Sequence, residues 1–155
     1  MHGGLEFETV QIWSHFLLWT VSNSFDEIFV CYPWNLNSNI FQDLLDYIGK
    51  HRPHVVILLG PFVDSKQPLI DECNTNGESY DEIFNRLLKM IDALLVDLPM
   101  TQVIIQHCTR DIHHRFIYPT PKMEIDNNRI ISVPDPAMIS IGTVSETYKI
   151  QCCLS

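Results

Sequence analysis

Two short stretches hold the side chains best equipped for chemistry. Gly60-Pro61-Phe62-Val63-Asp64 ends on a carboxylate, and the run from Arg110 through Asp111, Ile112, His113 and His114 to Arg115 carries a carboxylate, imidazoles and guanidinium groups. Carboxylate oxygens and imidazoles bind divalent cations, which generate a nucleophilic hydroxide and clamp a phosphoryl group. Asp111 and His113 stand one residue apart, so on an extended segment they point the same way. With Asp64 they define one reading, a metal-dependent phosphoesterase with an atypical site. The other reading is structural. Asp64 caps its loop by accepting backbone N–H bonds, Asp111 and His113 form a hydrogen-bonded pair, and the adjacent His113 and His114 face opposite ways, one buried and one wet. Arg110, His113, His114 and Arg115 make a basic cluster, used either for an acidic partner loop or phosphate, or for local pairing with Asp111. Phe116 and Tyr118 beside it either dock a partner or pack on their own sheet.

The elements that must position these residues are legible in the apolar pattern. Residues 28–32 form a short β-rich run closed by Pro33. Ile40, Phe41, Leu44, Leu45 and Ile48 lay one stripe along a helix that Gly49 and Pro53 should end. Residues 54–60 are continuously apolar after His54, as suits a strand covered on both faces. A long polar loop to Gly77 leads to Ser79-Tyr80-Asp81-Glu82, a capping box. The helix it opens has a stripe of Ile83, Phe84, Leu87, Leu88, Ile91, Leu94 and Leu95, with Glu82 and Arg86 expected to pair on the wet side. Residues 101–107 read as the next strand, and 129–133, 138–144 and 148–152 as shorter ones. Strand and helix alternate, which predicts an α/β fold with a βαβαβ core. The loops at 32–35, 60–66 and 107–115 should then converge at the carboxyl ends of the strands, where such sheets bind ligands.

Two-metal phosphoesterases carry D-x-H, G-D-x-x-D and G-N-H after successive strands. In the second of these positions Pro61 replaces the carboxylate that would bridge the metals, and proline has no ligand atom. Cys31-Tyr32-Pro33-Trp34 supplies neither Asp nor His at the first position, and His107-Cys108-Thr109-Arg110-Asp111 lacks G-N-H at the third. Arg110 would bring a fixed positive charge to the place of a cation. Gly60-Pro61-Phe62-Val63-Asp64, the stretch from Arg110 to Pro121, and Val133-Pro134-Asp135-Pro136-Ala137 with its following strand closely resemble the B subunit of DNA polymerase alpha–primase. The stretch His113-His114 to Tyr118-Pro119-Thr120-Pro121 favours the alpha complex over the delta and epsilon small subunits. The resemblance covers about 25–144. It implies a partial calcineurin-like metallophosphoesterase sandwich that is not an enzyme: 1–24 an unassigned segment, 25–155 an incomplete, inactive phosphoesterase-like domain. Implied with it are no metal or other cofactor, and a nuclear scaffold role in initiating DNA replication by primer synthesis. The implied partner is the C-terminal region of the polymerase catalytic subunit, with primase reached indirectly and DNA met only through the complex.

Bulk properties agree with that expectation. The chain has 155 residues, enough for one core that buries roughly two-thirds of the unfolded surface. Acidic residues outnumber basic ones 19 to 10, for a net charge of -9, and no Lys or Arg precedes Lys50. Unaided nucleic-acid binding needs clustered basic residues to release phosphate counterions, so a basic protein partner fits this charge better. Five cysteines without CxxC or zinc spacing read as reduced thiols. The apolar segment at 12–21 is too short to cross a bilayer and has Glu6 and Glu8 ahead of it. It reads as a core-facing strand or helix, with no membrane role.

Overall fold

Backbone amides removed from water need partners, and this chain finds them mainly between elements close in sequence. The computed structural model describes residues 7–13, 16–22, 27–33, 38–72, 75–113, 119–140 and 147–150. Strands β1 (Phe7–Trp13), β2 (Phe16–Ser22) and β3 (Glu27–Pro33) are antiparallel neighbours. Helix α1 (Ser38–His51) connects β3 to β4 (Val55–Leu59), and α3 (Tyr80–Asp97) connects β4 to β5 (Gln102–Gln106). A single helical turn, α2 (Pro68–Asp71), precedes α3. Strand β6 (Ile130–Val133) completes a six-stranded sheet in the order β1-β2-β3-β4-β5-β6, parallel from β3 onward. A separate antiparallel pair is formed by β7 (Ala137–Ser140) and β8 (Thr147–Ile150). The architecture is α/β, and β3-α1-β4-α3-β5 is the expected alternation. The segment at 12–21, expected as one element, is divided between β1 and β2.

Every residue of β4 is buried, and the two-residue period of a strand sorts them between faces. Val56 and Leu58, with Val103, Ile105 and Ile130, share one core with Phe41, Leu44 and Ile48 of α1 and Phe84, Leu87 and Leu95 of α3. Ile57, Leu59, Ile104 and Gln106 occupy the alternate positions and are buried as well.

Three local details depart from the sequence expectation. Helix α1 does not stop at Gly49 but runs to His51. A Cβ at Gly49 would lie 3.3 Å from Leu94 Cδ1, so this glycine lets α1 approach α3. Termination falls to Arg52, at φ 52°, whose N–H donates to the Ile48 carbonyl at 2.9 Å. The stretch to Gly77, read as one long polar loop, contains α2, which Pro68 starts and buried Ile70 anchors. Arg86 does not take Glu82. Its guanidinium lies 3.3 Å from Glu78, because the Glu82 carboxylate turns back to accept from Ser79 N (2.7 Å) and Oγ (2.9 Å). The predicted capping box is therefore complete, and it holds the Glu82 carboxyl below its usual value, chiefly through the backbone bond from Ser79. At the other end of α3, Arg129 donates to the carbonyls of Leu95 (2.6 Å) and Leu98 (2.8 Å).

Candidate functional site

The parallel register sets the carboxyl ends of β4 and β5 side by side, pairing Leu59 with Gln106. Gly60 extends the ladder by donating to the Gln106 carbonyl at 2.8 Å. The loops that follow are then laced together. Ser65 N donates to the Arg110 carbonyl and Ile112 N to the Val63 carbonyl, both at 3.0 Å, around an antiparallel bridge between Asp64 and Asp111.

At the centre of this lacing is the Asp111 carboxylate, fully buried. Its Oδ1 accepts from the amides of Phe62 (2.5 Å) and Val63 (2.7 Å), and its Oδ2 accepts from the amide of Cys108 (2.9 Å). A buried carboxylate is tolerable only when such donors replace its water. Gly60 makes the room: a Cβ there would lie 2.6 Å from Asp111 Oδ2, 3.1 Å from Cys108 N and 3.2 Å from the Gln106 carbonyl oxygen. Pro61 follows it, buried, across a cis peptide bond.

Asp64 lies at the rim. It accepts from Lys66 N at 3.0 Å, and Arg110 grips it bidentately, through Nε at 3.1 Å and through Nη2. The Arg110 and Asp64 side chains are 43% and 22% exposed, so water still screens the pair. Asp64 and Asp111 thus meet through their backbones while their carboxylates engage different partners.

His113 is buried, its Nδ1 3.7 Å from Asp111 Oδ1, which is beyond hydrogen bonding. Its ring stacks on Phe84 of α3 at 4.0 Å between centroids. His107 lies edge-on to Phe62, Phe84 and His113, at 5.7, 5.3 and 5.1 Å. Two imidazoles and two phenyl rings therefore fill the space between the loops and the start of α3. His114, Arg115, Phe116 and Tyr118 lie outside the described residues, as does most of the 32–35 loop. Among the described residues no group of three or more His, Cys, Asp or Glu side chains is placed to hold a metal ion. Cys108 is disulfide-bonded, which corrects the expectation of five reduced thiols for this position. No helix of the described chain is long and apolar enough to cross a membrane.

The third motif joins the same cluster. Thr120 donates its hydroxyl toward the His107 carbonyl (3.4 Å) and exchanges bonds with the Asp135 backbone, accepting from its N–H at 2.7 Å. Gln106 Nε2 donates to the Pro134 carbonyl at 2.9 Å. Described residues of all three stretches thus meet at the carboxyl end of the sheet. Sequence reasoning missed the clearance at Gly60, the Cys108 amide, and the part played by Phe84 and His107. Only the Gly-Pro pair offered a signal, since such a pair marks a turn without saying what approaches it.

Comparison with known proteins gives a consistent result. A family model for the B subunit of DNA polymerases alpha and epsilon matches residues 28–146. The bovine DNA polymerase alpha B subunit is 29% identical over 133 residues, covering 79% of this chain and 22% of its own length. The protein of that name in Dictyostelium discoideum is 30% identical over 105 residues, covering 65% of this chain and 16% of its own. In Caenorhabditis elegans the figures are 30% over 127 residues, 75% and 22%. The chain spans about a fifth of the length of these relatives.

Proposed function

Because the chain belongs to the DNA polymerase alpha/epsilon B-subunit family, we propose that it is part of a non-catalytic scaffold subunit of DNA polymerase alpha–primase. The observation that carries this reading is the commitment of Asp111 to the backbone amides of Phe62, Val63 and Cys108. A catalytic metal needs carboxylate lone pairs turned toward an open position, whereas this carboxylate is closed inside the protein. Asp64 is taken by Arg110 and by Lys66 N, and Pro61 contributes no ligand atom. The α/β core with its carboxyl-end loops, followed by the β7–β8 pair, supports an incomplete calcineurin-like sandwich over 25–155. The family match starts at residue 28, which leaves 1–24 unassigned even though β2 pairs with β3 and β1 with β2.

In this reading the protein acts in the nucleus at the initiation of DNA replication. It binds the C-terminal region of the polymerase catalytic subunit, reaches primase indirectly, and meets DNA only as part of the complex. A net charge of -9 favours a basic protein segment as the direct partner over a phosphate backbone. The test is co-purification of the chain, and of the longer protein it matches, with that C-terminal segment. Retention of the segment is expected; its failure to bind the longer protein would overturn the assignment. Phosphodiesterase activity with added manganese that is lost in Asp64→Ala would instead establish the atypical-enzyme reading.

A further inference from the structure

The loops after β4 and β5 are held by an anion that the chain itself supplies. Two of the donors, the amides of Phe62 and Val63, belong to one loop, while the third donor, the Cys108 amide, belongs to the other. The carboxylate is therefore a bridge between segments more than 40 residues apart in sequence, Phe62 and Asp111 being separated by 49. Consecutive amides turned toward one point form a concavity that favours a negative group whatever residue carries it. Space for that group is set by the backbone, since a Cβ at Gly60 would lie 2.6 Å from Oδ2.

We propose that these three amides form a carboxylate-binding nest in its own right, with Asp111 as its resident ligand. A free carboxylate of formate size should then occupy the nest when the side chain is cut back to alanine. This goes beyond the scaffold assignment and does not depend on it, because it concerns how the loop platform is assembled rather than what docks there. The chemistry requires two oxygens on one planar carbon, one facing Phe62 and Val63 and the other facing Cys108. A monatomic halide offers one centre in place of two oxygens and should bind the nest more weakly than formate.

The test uses the full chain carrying Asp111→Ala, melted in sodium formate and in sodium chloride of matched ionic strength. At a formate concentration about ten times its dissociation constant, the expected rise in Tm over chloride is roughly 3 to 5 °C, with no such difference in the unmutated chain. Equal melting in the two salts would overturn the proposal, because general screening would then account for any salt effect. If Asp111→Ala does not melt cooperatively in chloride, recovery of a cooperative transition in formate supports the nest. If formate recovers nothing at any concentration that the unmutated chain tolerates, the proposal is overturned, because an intact nest gains stability from its ligand even in a weakened chain. Asp111→Asn serves as a control, since its side chain fills the same volume and should show no formate-specific gain.

Discussion

Gly60→Ala tests the packing of the loop platform most directly. The added methyl would sit 2.6 Å from Asp111 Oδ2, 3.1 Å from Cys108 N and 3.2 Å from the Gln106 carbonyl oxygen. Two of those atoms are backbone, and the third belongs to a carboxylate held by the amides of Phe62, Val63 and Cys108, so none can yield cheaply. Overpacking of this kind costs about 1–3 kcal/mol. Loss or lengthening of one carboxylate bond adds about 1 kcal/mol more. The sum, about 2–4 kcal/mol, lowers Tm by roughly 5 to 12 °C for a chain of this size. Thermal melting followed by circular dichroism, with urea unfolding as a check, measures it. Gly49→Ala is the matched comparison: its methyl meets only the flexible end of Leu94, at 3.3 Å, inside a helix. There the helical preference for alanine, about 0.5–1 kcal/mol, offsets the crowding, and stability should change little. In an Asp111→Ala background the cost of Gly60→Ala should fall by about 1 kcal/mol or more, because the nearest of the three contacts is gone. A Gly60→Ala chain within about 0.5 kcal/mol of the parent, or strict additivity with Asp111→Ala, would mean that Gly60 does not make the room for the Asp111 carboxylate.

Arg129→Ala should destabilise the chain by about 1–2 kcal/mol, since the guanidinium donates a second, charged hydrogen bond to each of the Leu95 and Leu98 carbonyls at the end of α3, which otherwise accept only from the amides of Leu98 and Thr101. Arg129→Lys should recover less than half of that in a denaturation series, because an ammonium point charge does not reproduce the fork. A double-mutant cycle on Asp64 and Arg110, read by urea unfolding, should give a coupling of about 0.5–1 kcal/mol that shrinks in high salt; a buried, unscreened pair would give more. The Glu82 carboxyl is held below its ordinary value in the capping box, so its contribution is present above that value and is lost as pH falls through the lowered one. Melting curves should therefore show the difference between the parent chain and Glu82→Gln closing below about pH 4.5. Ser79→Ala should cost about 1 kcal/mol at neutral pH.

Period and punctuation in the sequence determined the order of elements. The continuous run at Val55–Leu59 could only be satisfied by burial on both faces, and the Ser79–Glu82 spacing specified how α3 begins. Both are local: they depend on residues within a few positions of one another, so a linear reading finds them. The absence of a metal-bridging carboxylate at Pro61 was equally plain, because it is a matter of residue type alone. Tertiary structure decided where the remaining carboxylates went. Glu82 and Arg86 are well spaced to pair, yet each found another partner once the helix terminus and Glu78 competed for them. Gly49 looked like a stop and became a contact surface, because the close approach of Leu94 that the missing side chain allows offsets its helix-propensity cost. Asp111 and His113 looked like one unit, but in the fold the carboxylate turns to the amides of a loop 49 positions away and the imidazole to Phe84. What draws Asp111 there is the desolvation cost of a buried charge, which only converging backbone donors can offset. Convergence of that kind is created by the sheet register, and no spacing along the chain encodes it.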